Sequence, residues 1–335
     1  MEDLNIRKSG RAGRITFTRP AALNALSHDM AIALHQALNA WRNDPEVALV
    51  IIDAEGDRAF CAGGDIAAVY RAGKEGDHQP GRDFFRDEYL MNAAIADYPK
   101  PIVAFMQGFV MGGGVGVGGH ASHRIVGDTT QVAMPEAGIG LIPDVGGTWL
   151  LAHAPGRIGE YLALTGARMG AGDAIHAGFA DIYIPETHWP ALIEKLEQTG
   201  DPSVIKRSEE PEAELATRNL AAFGGRNVAE IMAALEQQGD EQSLKVLRRN
   251  SPLSMAASLA MVRAARSDQR MQMSLSREYR FTARATESSD FIEGVRAQII
   301  DKDRNPQWSA DSSAEHVKQM LASLGENELV WEERA

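Results

Sequence analysis

PKPIVAFMQGFVMGGGVGVGG, residues 99–119, separates a membrane span from a buried strand and glycine turn of a globular fold. From Pro101 to Gly119 it carries no charged residue, a length that approaches a bilayer span. It also holds seven glycines and Gln107, and the dense run GGGVGVGG is a poor helix over that length. A short buried strand at Ile102 to Phe105, then a glycine-rich turn into a helix, explains it better than a membrane span.

Outward from that strand the first half of the chain alternates strand and helix patterns. Arg14 to Thr18 alternates with period two, as a half-buried strand does, and Pro20 ends it. Ser27 is a good N-cap for a helix carrying Met30, Leu34, Ala37, Leu38 and Trp41 at helical spacing. Ala48 to Ile52 is a continuous apolar run, expected as a buried strand. A loop at Ala54 to Gly64, a helix after Asp65 and a charged helix from about Asp83 to Asp97 lead back to Ile102. Shorter strands are expected at Arg124 to Val126 and Asp181 to Ile184. Strand, helix and strand in succession imply a parallel sheet with helices packed on it, an α/β fold. After about Trp189 strand signals vanish and helical spacing takes over, with Ser254 read as the cap of a helix bearing Met255, Leu259 and Val262. The expected organisation is a core over 1–188 and a helical C-terminal region over 189–335 packed on it.

Bulk composition narrows the functions. The chain has 335 residues, 44% of them hydrophobic and 24% charged, ordinary globular values. A formal charge of −12 argues against nucleic acid as the main partner, because phosphates demand a basic surface. The single cysteine, Cys61, rules out an intramolecular disulfide and any Cys-based zinc site. The opening residues MEDLNIRKSGRAGRITF have no apolar stretch of the kind found in signal peptides, so a cytoplasmic location is expected.

Three motifs carry candidate chemistry. Ala59-Phe60-Cys61-Ala62-Gly63-Gly64-Asp65 and Met111-Gly112-Gly113-Gly114-Val115-Gly116 each put glycines where a loop opens into a helix. Backbone N–H groups there lack intrahelical partners, and two such sites make donors for an oxyanion. Close helix–strand packing selects glycine as well, and either run alone fits that reading. The third motif, Met134 to Gly147, sets Glu136 and Asp144 eight residues apart in a segment broken by two prolines and four glycines. Such carboxylates in an apolar cleft suit acid–base chemistry, since desolvation and repulsion separate their pKa values. Taken alone, Asp144 is more simply a cap for a helix starting near Val145, with Glu136 solvated.

Rival motifs fail on spacing. Gly114-x-Gly116-x-x-Gly119 matches a dinucleotide fingerprint, but Asp128 comes too early to be its ribose ligand. No Walker lysine follows a glycine loop, and no Gly-x-Ser-x-Gly elbow is present. His120 and His123 share a helix-like spacing without a third ligand, so no metal is expected.

In order and separation the three motifs resemble the crotonase superfamily. Arg19-Pro20 with Leu23-Asn24-Ala25-Leu26 is similar to its N-terminal signature, and Pro99 to Ala104 to the strand entering its second oxyanion element. The resemblance implies a spiral of ββα units with a helical C-terminal region and an acyl-CoA thioester as ligand. It also implies an oxyanion hole from the amides of Gly64 and Gly113, and possible assembly as a homo-oligomer, trimer or dimer. Hydratases of the superfamily share Glu136, but their other catalytic glutamate falls here on Gly116, and they usually carry glycine where this chain has Asp144. Glu136 with Asp144 in Pro-Asp-Val-Gly-Gly instead resembles the 3-hydroxyisobutyryl-CoA hydrolases, a branch acting in valine catabolism. Phe84 to Tyr89, Ser251 to Ser254, Glu278 to Arg280, Phe291 to Arg296 and Ile300 to Asp303 resemble that branch too.

The implied site is Glu136 and Asp144 as catalytic acids, with Glu88 a substrate contact. No cofactor is implied beyond the CoA of the substrate. A hydratase or isomerase acting on another acyl-CoA, or a non-catalytic acyl-CoA-binding relative, is the alternative. Where many hydratases carry a lysine after Arg-Pro to meet CoA phosphate, this chain has Ala21, and Lys302 or nearby arginines are the substitutes on offer.

Overall fold

The computed structural model describes residues 2–331. By its internal contacts the chain divides into two compact units, each assembled from three stretches of sequence. The first takes residues up to Asp65, Leu90–Ala133 and Arg168–Thr217; the second takes Ile66–Tyr89, Met134–Ala167 and the chain from Arg218. Strands end at Tyr183, so the described chain beyond 188 is helix and loop.

All the strands lie in the first unit. A larger sheet runs β1 (Leu4–Ser9), β2 (Ala12–Phe17), β3 (Leu49–Ala54), β5 (Ile102–Met106), β7 (His123–Val126) and β9 (Ile182–Tyr183). A smaller one runs β4 (Ala59–Cys61), β6 (Phe109–Met111) and β8 (Gln131–Ala133). Only β1 and β2 pair antiparallel, across a two-residue turn at Gly10 and Arg11. Every other pairing between these described strands is parallel, with Ile15 beside Ile52, Ile51 beside Val103 and Ile125 beside Ile182. Three times the chain gives one strand to the larger sheet, the next to the smaller, and then enters a helical stretch. That is the expected ββα spiral.

Burial explains why the central strands were legible. Leu49 to Ile52 and Ile102 to Met106 are buried at every position, which requires an unbroken apolar run. One face of the larger sheet, with Leu49, Ile51, Val103, Phe105 and Ile125, is covered by the helix Trp189–Thr199 through Trp189 and Leu196. Trp189 stacks 5.3 Å from Phe105 and donates its indole N–H to the Ile184 carbonyl at 2.9 Å. The smaller sheet was not foreseen. Its strands are three residues long, too short to show a period.

The second unit contains no strand among its described residues. The helix Met271–Ser288 buries Met271, Ser274, Leu275, Glu278, Tyr279 and Thr282 on one side, at helical spacing. Tyr89 packs edge-on to Tyr279 at 6.2 Å, and Phe85 to Phe291 at 6.3 Å. Ser254 is not a cap: the helix Pro252–Ala265 starts after Ser251, whose hydroxyl accepts the Ser254 N–H at 3.1 Å. Pro252 at the first helical position explains the earlier start. Among the described residues no helix is long and apolar enough to cross a membrane.

Candidate active site

The glycine loops belong to the first unit, at the same end of the smaller sheet. β4 and β6 are parallel neighbours, so the residues after Cys61 and after Met111 leave from one edge, where open sheets bind ligands. The two loops are pressed together. A Cβ on Gly114 would come within 2.1 Å of the Cys61 carbonyl oxygen, so only glycine fits there. Gly113 opens the six-residue helix Gly113–Gly118, and the Gly116 N–H reaches back to Gly112.

The N-terminal signature braces the first loop. Leu26 donates its N–H to Gly63 at 2.9 Å and accepts from Asp65 at 2.8 Å. In a parallel bridge the residue between those two turns its own N–H to the opposite edge, and here that residue is Gly64. Asn24, buried with φ of 54°, donates its amide to the carbonyls of Glu55 and Ala59 at 3.0 and 2.8 Å. Among the described residues, neither the Gly64 nor the Gly113 N–H donates to a backbone carbonyl. Both are donors held by rigid backbone and free to meet an oxyanion.

The carboxyls collect in the second unit. Glu88, Glu136, Asp144 and Glu278 are 2, 5, 4 and 0% exposed, too buried for water to solvate four charges. Among the described residues none of them forms an ion pair. Glu88 and Tyr89 sit on the helix Gln79–Ala96, Glu136 on a short 3-10 turn, and Asp144 on the loop leading into the helix Gly147–His153. The Tyr89 hydroxyl donates to Asp144 Oδ2 at 2.7 Å and lies 3.3 Å from the Thr282 hydroxyl. Glu278 accepts the N–H of Gly146 at 2.8 Å, the N–H of Thr148 at 3.0 Å, and the Thr148 hydroxyl.

Burial is the main electrostatic fact. It pushes Glu88 and Glu136 well above the usual carboxylate range, and the neighbouring Asp144 pushes them further. Asp144 is raised to about 7 by burial, against the pull of the Tyr89 hydrogen bond. Glu278 is also raised to about 7 by burial, although the donors from Thr148 and Gly146 favour its anion. Glu88 Oε1 and Glu136 Oε2 are buried without a hydrogen-bond partner among the described residues. A group of carboxyls all raised by burial, some with unused oxygens, is equipped to take and give protons.

The two simpler readings of the third motif do not hold. Glu136 is buried rather than solvated. The side chain of Asp144 does not cap the helix, which starts at Gly147 with Gly146 as N-cap and finds its carboxylate in Glu278. Between Asp144 and that helix, Val145 and Gly146 have φ of 54° and 78°. A β-branched residue in the left-handed region is a true outlier, with a cost on the order of 1–3 kcal/mol. Glu136, Asp144 and Glu88 thus come together in one unit, while Gly64 and Gly113 come together in the other. Tyr89, Thr148, Glu278 and Thr282 were missed as parts of the acid cluster. A glutamate on the buried stripe of Met271, Leu275 and Tyr279 was the available signal for Glu278.

Comparison with known proteins agrees with this architecture. The family model for enoyl-CoA hydratase/isomerase matches residues 12–324. The mitochondrial 3-hydroxyisobutyryl-CoA hydrolase of Gallus gallus is 37% identical, over 98% of this chain and 90% of its own. A crystal structure of an enoyl-CoA hydratase from Rhodobacter sphaeroides 2.4.1 is 54% identical with a TM-score of 0.94, covering 98% of this chain and 100% of that one. A carnitinyl-CoA dehydratase from Mycobacterium thermoresistibile is 38% identical with a TM-score of 0.94, each chain covered completely. Three relatives thus bear three activity names, each naming a CoA compound. The chain belongs to the enoyl-CoA hydratase/isomerase family, within the crotonase superfamily.

Proposed function

We propose that this protein hydrolyses 3-hydroxyisobutyryl-CoA to 3-hydroxyisobutyrate and CoA. The observation that carries the reading is Asp144, buried, hydrogen-bonded by Tyr89 and in one unit with Glu136. Resemblance to the hydratases requires a second glutamate where this chain has Gly116, which lies buried within the helix Gly113–Gly118 and offers no side chain. The Gallus gallus relative, similar over nearly the whole chain, is named for the same hydrolysis.

In this reading the amides of Gly64 and Gly113 donate to the thioester carbonyl oxygen as it gains charge, each worth about 3–4 kcal/mol of barrier. Glu136 either attacks the carbonyl carbon or takes a proton from an attacking water. In the first route the C–S bond breaks, a mixed anhydride forms, and water then frees the acid and restores Glu136. In the second, hydroxide adds directly and no covalent intermediate arises. Either way the leaving CoA sulfur takes its proton from the acid cluster. Asp144 binds the substrate hydroxyl or assists that transfer, and Glu88 is a further polar contact. The reaction uses no metal ion and no cofactor beyond the CoA of the substrate. Assembly as a trimer or dimer is part of the same proposal, to be read by light scattering after size exclusion.

The second reading is hydration of an enoyl-CoA, favoured by the name of the 54% identical Rhodobacter sphaeroides relative. One experiment separates them. The purified protein is given (S)-3-hydroxyisobutyryl-CoA with a thiol-reactive dye, and crotonyl-CoA in parallel by absorbance. Thiol release without hydration is expected. Hydration without thiol release would replace the hydrolase reading, and tight CoA binding with neither would mark a non-catalytic relative.

A further inference from the structure

Two distant residues converge on Asp144 from a single helix. Glu278 and Thr282 lie one turn apart on the buried side of the helix Met271–Ser288, more than 130 positions beyond Asp144. Glu278 grips the backbone that follows Asp144, through the N–H of Gly146, the N–H of Thr148 and the Thr148 hydroxyl. Thr282 meets the Tyr89 hydroxyl at 3.3 Å, and that hydroxyl donates to the Asp144 carboxylate at 2.7 Å. The turn between the two grips carries Val145 at φ of 54°, a conformation that persists only where its surroundings enforce it.

We propose that Glu278 is a positioning residue for the reaction, fixing the strained turn that aims Asp144 while Tyr89, backed by Thr282, fixes the carboxylate itself. The proposal rests on the reading that Asp144 acts on the acyl-CoA thioester. A helix seven residues long does not need a fully buried carboxylate as its cap; Ser, Thr or Asn next to it serves that end at no desolvation cost. Burying an anion from another helix makes sense where the position and charge of the neighbouring carboxyl matter. The titratable groups facing Asp144 are Glu88 and Tyr89 from one helix, Glu136 from the preceding turn and Glu278 from Met271–Ser288. None of them is a cation, so the Glu278 charge acts on Asp144 and Glu136 without a local counter-charge.

The test compares Glu278→Gln, Tyr89→Phe and Thr148→Val with the wild type in CoA-release kinetics across pH, below the melting temperature of each. Glu278→Gln is expected to lose on the order of 10²-fold in kcat with little change in KM, the cost of a misplaced reacting group. Thr148→Val, which drops one of three bonds and nearly conserves side-chain volume, is expected to stay folded and to lose kcat less steeply. The pH midpoint governed by the acids is expected to move down in Glu278→Gln, because a neighbouring anion is gone. It is expected to move up in Tyr89→Phe, because a donor favouring ionised Asp144 is gone. Opposite displacements have no counterpart in a plain loss of helix stability. Unchanged kcat, or lost kcat with an unmoved midpoint, reduces Glu278 to a structural cap and overturns the proposal. If Glu278→Gln does not fold, unchanged kcat in Thr148→Val does the same. Should the wild type release no CoA, the functional reading has failed. The proposal is then decided by the Asp144 carboxyl titration in ¹³C-labelled protein, where the same opposite displacements support it and their absence overturns it.

Discussion

The glycine loops of the first unit and the acid-bearing turn of the second do their work with different materials. At Gly64 and Gly113 the proposed oxyanion donors are backbone N–H groups, and what holds them is backbone too: parallel pairing of β4 with β6, the Leu26 bridge and a helix start that only glycine allows. At Asp144 the functional atoms are a side-chain carboxyl, held by side chains from two other helices. The first device is stiff and built of backbone; the second is assembled from side chains of three remote stretches and carries both strain and uncompensated charge. In the proposed mechanism the oxyanion donors thus lie where a Cβ cannot enter, and the acid lies where side chains of other helices set its place.

The comparison is broken most severely by removing the acids. Glu136→Gln and Asp144→Asn are each expected to remain folded and to lose about 10²–10⁴-fold in CoA release, the usual worth of a positioned proton-transfer group. Circular dichroism checks the fold and thiol release the turnover. Full activity in both variants would remove the assignment of the site.

Gly114→Ala attacks the other region. Its Cβ meets the Cys61 carbonyl at 2.1 Å, and that carbonyl belongs to a strand that cannot recede without breaking its pairing with β6. A loss of at least 1–3 kcal/mol in stability is expected, roughly the cost of overpacking, together with loss of activity. Urea unfolding measures the first. A fully stable and active Gly114→Ala would mean that the oxyanion elements are looser than their contacts suggest.

These contrasts match what was legible in the sequence. Leu49 to Ile52 and Ile102 to Met106 announced themselves because burial on both faces demands an apolar run. The glycine motifs were legible as short runs at the ends of strands, although the contact that demands glycine at 114, with the Cys61 carbonyl, joins positions far apart in sequence. Glu136 and Asp144 could be paired as candidates, but burial, which separates a catalytic carboxyl from a solvated one, is a tertiary property. The same gap made Asp144 look like a helix cap. The real cap, Glu278, stands on a helix formed by a distant stretch, and no spacing rule links positions 130 residues apart. β4, β6 and β8 escaped because three residues cannot display a period.

A smaller effect follows from the charge carried by the acid region. Asp144 rises from 3.8 and Glu278 from 4.5, both to about 7, on burial. The folded state therefore binds protons between about pH 4 and 7 that the unfolded state has released. The contribution of these two groups to stability falls as pH rises through that window and levels off above it. Asp144→Asn removes part of this penalty. It is expected to be more stable than wild type at pH 8, by on the order of 1–3 kcal/mol, with the gap closing toward pH 5. Thermal melts at the two pH values decide it. A gap independent of pH would place the penalty elsewhere than in the ionisation of Asp144.

Val145 sharpens the comparison at its finest grain. Its side chain is buried, so truncation costs packing in any variant, and the informative quantity is the difference between two truncations. At an ordinary backbone position glycine is less stable than alanine by about 0.5–1 kcal/mol, because the unfolded chain gains freedom. At φ of 54° alanine keeps the clash of its Cβ with the following carbonyl, worth about 1–2 kcal/mol, and glycine does not. Val145→Gly is therefore expected to melt above Val145→Ala, by about 1 kcal/mol or less, although it has lost one more methyl. Its freer turn is also expected to lower kcat more than alanine does, since Asp144 would then be aimed by Tyr89 and Glu278 alone. If alanine is the more stable of the two, the turn has relaxed out of the left-handed region. The stiffness at Asp144 would then come from its hydrogen bonds and not from strain.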